Sequence, residues 1–94
     1  MNLRWSSLAR ADVLAIVDHL LEFNPAAAGR LIDTIEGDVH GLAEFPGMGR
    51  PGRCAGTREL VITDTPYIVV YRVVGGTVQI LRVLHGARQW PESL

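Results

Sequence analysis

Apolar and polar positions follow two rhythms along this chain, helical in the first half and strand-like in the second. Residues 2–5, Asn-Leu-Arg-Trp, are too few to stand alone and read as an edge strand. Ser6 or Ser7 offers an N-cap, because a serine hydroxyl can accept from a free backbone N–H of the first turn. From there to about Phe23, Ala9, Val13, Ile16, Val17 and Leu20 form one apolar stripe, with Arg10, Asp12, Asp18, His19 and Glu22 largely off it. Asn24-Pro25 closes this helix and opens another, asparagine capping and proline preset for the first helical position. The second helix, about 25–44, carries Ala28, Leu31, Ile32, Ile35, Val39 and Leu42 at helical spacing. Gly29, Gly37 and Gly41 weaken it by about 1 kcal/mol each relative to alanine. So tight a junction predicts an antiparallel helical hairpin.

The segment Phe45 to Gly56 is rich in glycine and proline, carries Arg50 and Arg53, and is expected to be a loop without regular structure. Beyond it β-branched and aromatic residues dominate. Thr57 to Thr63 reads as a strand, Asp64-Thr65-Pro66 as a turn, and Tyr67 to Val73 as a second strand. Gly75-Gly76 is a hairpin signal, and Thr77 to Leu84 makes a third strand. The middle strand is apolar on both faces, as suits a central position, and its poor alternation leaves open which face meets the helices. Tyr67 and Tyr71 share one face and are expected in or beside the core. The order is β-α-α-β-β-β, an α+β fold with a helical hairpin packed on a small, mainly antiparallel sheet. The expectation is one domain spanning residues 1–94.

No apolar run approaches the roughly 18 residues of a membrane span. The start, Met1-Asn2-Leu3-Arg4-Trp5, lacks the basic and apolar regions of a signal peptide. The lone Cys54 excludes an internal disulfide, which fits a cytoplasmic protein. A net charge of −1 speaks against nucleic-acid binding, but the distribution adds to the picture. All nine basic residues are arginine. Six of them, Arg50, Arg53, Arg58, Arg72, Arg82 and Arg88, lie in the second half, while most acids fall in the first. An acidic helical side and a basic sheet side are expected. Arginine's planar fork suits phosphate and carboxylate partners.

Several local motifs, in register with this element order, resemble the RelE/ParE toxin superfamily. They are Trp5 followed by Ala9 and Asp12, Asn24-Pro25 with Ala27 and Ala28, and Leu42-Ala43-Glu44-Phe45-Pro46-Gly47-Met48-Gly49-Arg50. Gly56-Thr57-Arg58-Glu59-Leu60, the strand Tyr67 to Val73, and Ile80 through His85-Gly86-Ala87-Arg88-Gln89-Trp90-Pro91 complete them. The resemblance implies a toxin of a type II toxin–antitoxin (plasmid stabilisation) system, held inactive by a co-expressed antitoxin that wraps around it. RelE-like members cut messenger RNA on the ribosome; ParE-like members inhibit DNA gyrase and are not nucleases.

Cleavage of RNA by its 2′-hydroxyl needs a proton acceptor, cations at the phosphate and an acid for the leaving oxygen. His85 is the natural proton carrier, with Arg82 and Arg88 as catalytic partners if the chain is a nuclease. Arg82 and His85 are separated by an odd number of positions, so an ideal strand sets them on opposite faces unless it bulges between them. The resemblance adds two departures. Gly52 stands where one nuclease branch has a glutamate, and Ile68 where it has an arginine. No lysine-rich ribosome-binding surface exists either. The ending around Arg82-Val83-Leu84-His85 is more ParE-like.

A gyrase inhibitor is therefore the favoured function, with Arg58, Arg72, Arg82, Arg88 and Trp90 as candidate target-binding residues. A ribosome-dependent endoribonuclease acting on mRNA is the alternative, and an inactivated homologue kept for complex formation a third. The plainer readings are solvated or salt-bridged sheet positions for Arg58, Arg72 and Arg82, and a structural strand-end histidine for His85. His19 and His40 have no second ligand nearby, and Cys54 has no histidine partner in sequence, so no metal or cofactor is expected. Trp5, Ile16, Leu20, Leu31 and Ile35 are the candidate antitoxin-binding residues. The apolar outer faces and the exposed edge at residues 2–5 suit a clamp by an amphipathic helix and strand.

Overall fold

The computed structural model describes residues 1–94 and contains β1 (Asn2–Trp5), α1 (Ser7–Phe23), α2 (Pro25–Gly41), β2 (Arg50–Pro51), β3 (Arg58–Val61), β4 (Tyr67–Val74) and β5 (Thr77–His85). Side-chain caps set both helix starts. Ser6 Oγ accepts from the Ala9 N–H at 3.0 Å, and Asn24 Oδ1 accepts from the Ala27 N–H at 3.2 Å. The Ser6 hydroxyl also donates to the Leu81 carbonyl at 2.8 Å, tying the start of α1 to β5. The second helix stops at Gly41, short of the expected limit at 44, because the Leu42 N–H turns back to the Val39 carbonyl and residues 42–44 form a turn.

The sheet has five strands in the order β1-β5-β4-β3-β2, with β1 parallel to β5 and every other pairing antiparallel. The expectation of an entirely irregular 45–56 segment is corrected here. Arg50 and Pro51 pair with Glu59 and Arg58 as a short edge strand. Proline is tolerated there because an edge strand leaves one row of its amides without a sheet partner. The helix-facing side of the sheet carries Val69, Tyr71, Val78, Ile80 and Val83. They pack with Ala9, Leu31, Ile35, Val39, Leu42 and Ile62 into one core. Each fully buried aliphatic side chain contributes roughly 1.5–3 kcal/mol.

One irregularity explains the poor alternation of the sequence. Val70 lies opposite Arg82 but Tyr71 lies opposite Ile80, so Leu81 is an extra, unpaired residue. Such a bulge moves the side-chain alternation by one position. Val78 and Ile80 before it, and Val83 after it, can then all face the helices.

Tyr71 fastens the loop before β2. Its hydroxyl donates to the Pro46 carbonyl at 2.7 Å and accepts from the Gly49 N–H at 2.8 Å. A Cβ on Gly49 would come within 2.6 Å of that hydroxyl oxygen, so only glycine fits. Tyr67 packs beside the core on the same face. The opposite face also buries apolar residues, Ile68 and Val70, together with Glu59. The C-terminal segment lies against it: the Gly86 N–H donates to the Pro66 carbonyl at 2.8 Å, and a Cβ on Gly86 would sit 3.0 Å from Ile68 Cδ1.

Candidate functional site

Three of the candidate residues converge at the end of β5. His85, Arg88 and Trp90 line a cleft of about 330 Å³, and Asp12, Ile16 and His19 of α1 form its other wall with Tyr67. Tyr67 is directly opposite His85 in the sheet, and the two rings meet edge to face at 5.6 Å. His85 Nδ1 accepts from the Ala87 N–H at 3.1 Å. The His85 carbonyl accepts from the Trp90 indole N–H at 3.1 Å and from the Arg88 N–H at 3.2 Å, which folds the tail back on the strand end.

Arg82 does not line this cleft. Its Nε and Nη2 donate to the two oxygens of Asp12 at 2.7 and 2.9 Å, a bidentate pair in which both side chains are largely buried. The Val83 N–H donates to the same carboxylate at 2.9 Å. The reason lies in the sheet: β1 ends at Trp5, opposite Ile80, so β5 continues with a bare edge that Asp12 covers. Hydrogen bonding to Asp12, outweighing the opposite effect of burial, holds the Arg82 guanidinium above its ordinary pKa. Arg82 and His85 face Val70 and Tyr67 in unbroken register, so they occupy opposite faces. The bulge falls before Arg82 and not between the two.

Arg58 is likewise committed to the fold. Its Nη1 donates to the carbonyls of Gly49 at 2.7 Å and Gly47 at 3.4 Å, which fixes the loop. Arg72 is exposed; its Nε donates to Gln79 Oε1 at 2.7 Å, in a cross-strand row that continues to Arg4. Arg88 is exposed at the rim of the cleft.

Of the proposed antitoxin contacts, Leu31 and Ile35 are corrected to core positions, 5% and 2% exposed. Their periodicity marked the inner face of α2. Ile16 and Leu20 are partly buried against the same core. Trp5 and the edge of Ile35 instead border an apolar groove of about 410 Å³, with Val13, Leu14 and Ile32 between Arg10 and Glu36. Leu14, 64% exposed, is the accessible residue of that groove, and it was not singled out from sequence.

Sequence reasoning also missed Asp12, Glu59 and Arg53. Glu59 is 3% exposed, accepts from the Arg53 N–H at 2.7 Å and pairs with Arg50 at 3.2 Å. The Arg53 guanidinium lies 3.7 Å from the centre of the Trp90 ring. The available signal was an acid placed inside an apolar strand after two loop arginines. No group of three or more histidine, cysteine or carboxylate side chains is placed to hold a metal ion. No helix is long and apolar enough to cross a membrane.

A family model described as the ParE toxin of the type II toxin–antitoxin system parDE matches residues 3–90. A Sinorhizobium fredii protein named as a candidate toxin, Y4kP, is 42% identical over 93 residues, covering 99% of this chain and 96% of the relative. Toxin RelE2 of Caulobacter vibrioides is 40% identical over 84 residues, covering 89% and 93%. A solved chain from the chromosomal ParDE toxin–antitoxin system of P. aeruginosa superposes with a TM-score of 0.82 at 34% identity, covering 90% of this chain and 95% of that one.

Proposed function

From the premise that this chain belongs to the ParE toxin family, as the toxin of a type II toxin–antitoxin pair, we propose that it inhibits DNA gyrase. One observation carries this choice over RNA cleavage. The cation and the proton carrier that cleavage would recruit, Arg82 and His85, point to opposite faces, and Arg82 is already neutralised by Asp12. Arg72, Arg88 and Trp90 are the proposed contacts with the target. Arg58 and Arg82 serve it indirectly, by fixing the loop and the sheet edge. In a supercoiling assay with purified gyrase, the chain is expected to block supercoiling or trap cleaved DNA; unaffected gyrase at large toxin excess refutes the proposal.

Family membership implies an antitoxin partner. We assign its docking to the groove around Trp5, Val13, Leu14 and Ile32, where an amphipathic helix can lay its apolar face. A second reading, ribosome-dependent cleavage of mRNA, is favoured by the cleft that gathers His85, Arg88 and Trp90, and by the relatives named RelE. It predicts defined cuts in translated messages that disappear in His85→Ala.

A further inference from the structure

The outer sheet face holds a buried carboxylate that neither the fold's core nor the proposed target contacts explain. Glu59 stands on β3 beside Val70, its side chain 2% exposed, on the face away from the helices. Two arginines converge on it: Arg50 of β2 at 3.2 Å, and Arg53 just beyond that strand through its N–H at 2.7 Å and its Nε at 3.9 Å. An ionised carboxylate is retained in such a place only when hydrogen-bonded and paired, as this one is. The Arg53 guanidinium, 3.9 Å from Glu59 through its Nε, then sits over the Trp90 ring with its carbon 3.7 Å from the ring centre. Trp90 also donates to the His85 carbonyl, so its indole is held by β5 through its N–H and by Arg53 over its ring. Beneath it the apolar residues Ile68 and Val70 are closed off from water.

We propose that Glu59 and Arg53 are positioning residues for the C-terminal tail: the buried carboxylate fixes Arg53, and Arg53 docks Trp90 and the segment 86–94 on the outer sheet face in the geometry that meets the target. The tail has two states, docked and released, and the Arg53–Trp90 stack biases the balance. The part concerning the target rests on the proposed gyrase inhibition; the docking itself does not. With Arg53 half exposed, its cation over the indole shifts such a balance by about two- to fivefold.

The test uses the full-length chain. In a Trp5→Phe background Trp90 is the remaining tryptophan, and its quenching by acrylamide reports the released fraction. Arg53→Ala and Glu59→Gln should each raise quenching and speed amide exchange across 86–94 by about two- to fivefold, leaving β4 and β5 exchange unchanged. Arg53→Lys, which keeps a cation over the ring, should recover part of the effect. In the native background, Arg53→Ala should require more toxin for half-inhibition of gyrase. Unchanged quenching and tail exchange in Arg53→Ala would overturn the docking. Released tails with unaltered inhibition would overturn the positioning role. If even the unsubstituted chain leaves gyrase untouched while Arg53→Ala still releases the tail, the gyrase proposal fails and the docking stands. Because Glu59→Gln removes a buried charge and endangers the fold, Arg53, whose side chain is half exposed, is the deciding variant.

Discussion

Asp12 and Arg82, seventy positions apart in sequence, face each other through two hydrogen bonds of 2.7 and 2.9 Å. The pair joins the first helix to the last strand where β1 has run out, and the same carboxylate caps the Val83 amide. It fixes both the part of β5 that β1 leaves uncovered and the reading of its chemistry.

Asp12→Asn keeps the shape but removes the charge. Charge-assisted hydrogen bonds contribute about 1.5–3 kcal/mol, so a loss of this size is expected in urea unfolding. Arg82→Gln should cost a similar amount, and the double variant less than the sum. Additive losses in that cycle would mean that the two residues do not interact.

Tyr71→Phe removes one hydroxyl and leaves the Pro46 carbonyl and the Gly49 amide without it. Unsatisfied buried groups cost about 1–3 kcal/mol, so this small change should lower stability by that much. Gly49→Ala should be worse, because its Cβ collides with Tyr71. Thermal melting of the two variants checks the order.

Arg58 and Arg72 look alike in sequence and should separate in experiment. Arg58→Ala frees the carbonyls of Gly47 and Gly49 and should destabilise the loop by about 1 kcal/mol. Arg72→Ala, on an exposed strand position, should change stability by less than about 0.5 kcal/mol while weakening inhibition of the target. Equal behaviour of the two in melting and in inhibition would remove the distinction.

Leu14→Asp places a charge in the groove beside Trp5 without touching the core. The variant should fold and remain toxic but escape neutralisation when the cognate antitoxin is co-expressed. Restored growth with antitoxin would show that docking occurs elsewhere.

The helical half of the fold was legible because its signals are local. Ser6 and Asn24 cap the helices as their side-chain chemistry predicts, and the stripe from Ala28 to Val39 is the buried face of α2. The sheet was legible in order but not in facing. The bulge at Leu81 reverses alternation in mid-strand, and nothing in Gln79-Ile80-Leu81-Arg82 announces it. The short strand at Arg50–Pro51 was hidden by its proline and exists only through its partner. The site was least legible, because its ties are long-range. His85, Arg88 and Trp90 are near in sequence and share a cleft, whereas the partners that decide the roles of Arg82 and Trp90, Asp12 and Arg53, come from other elements. The apolar stripes marked residues that face the core, and Leu31 and Ile35 lie there.

The most direct test of the account is to induce the chain without its antitoxin and follow labelled thymidine and labelled methionine incorporation over the first minutes. Inhibition of gyrase predicts that thymidine incorporation stops first, in the native chain and in His85→Ala alike. Methionine incorporation stopping first, and recovering in His85→Ala, would contradict it and place the toxin at the ribosome.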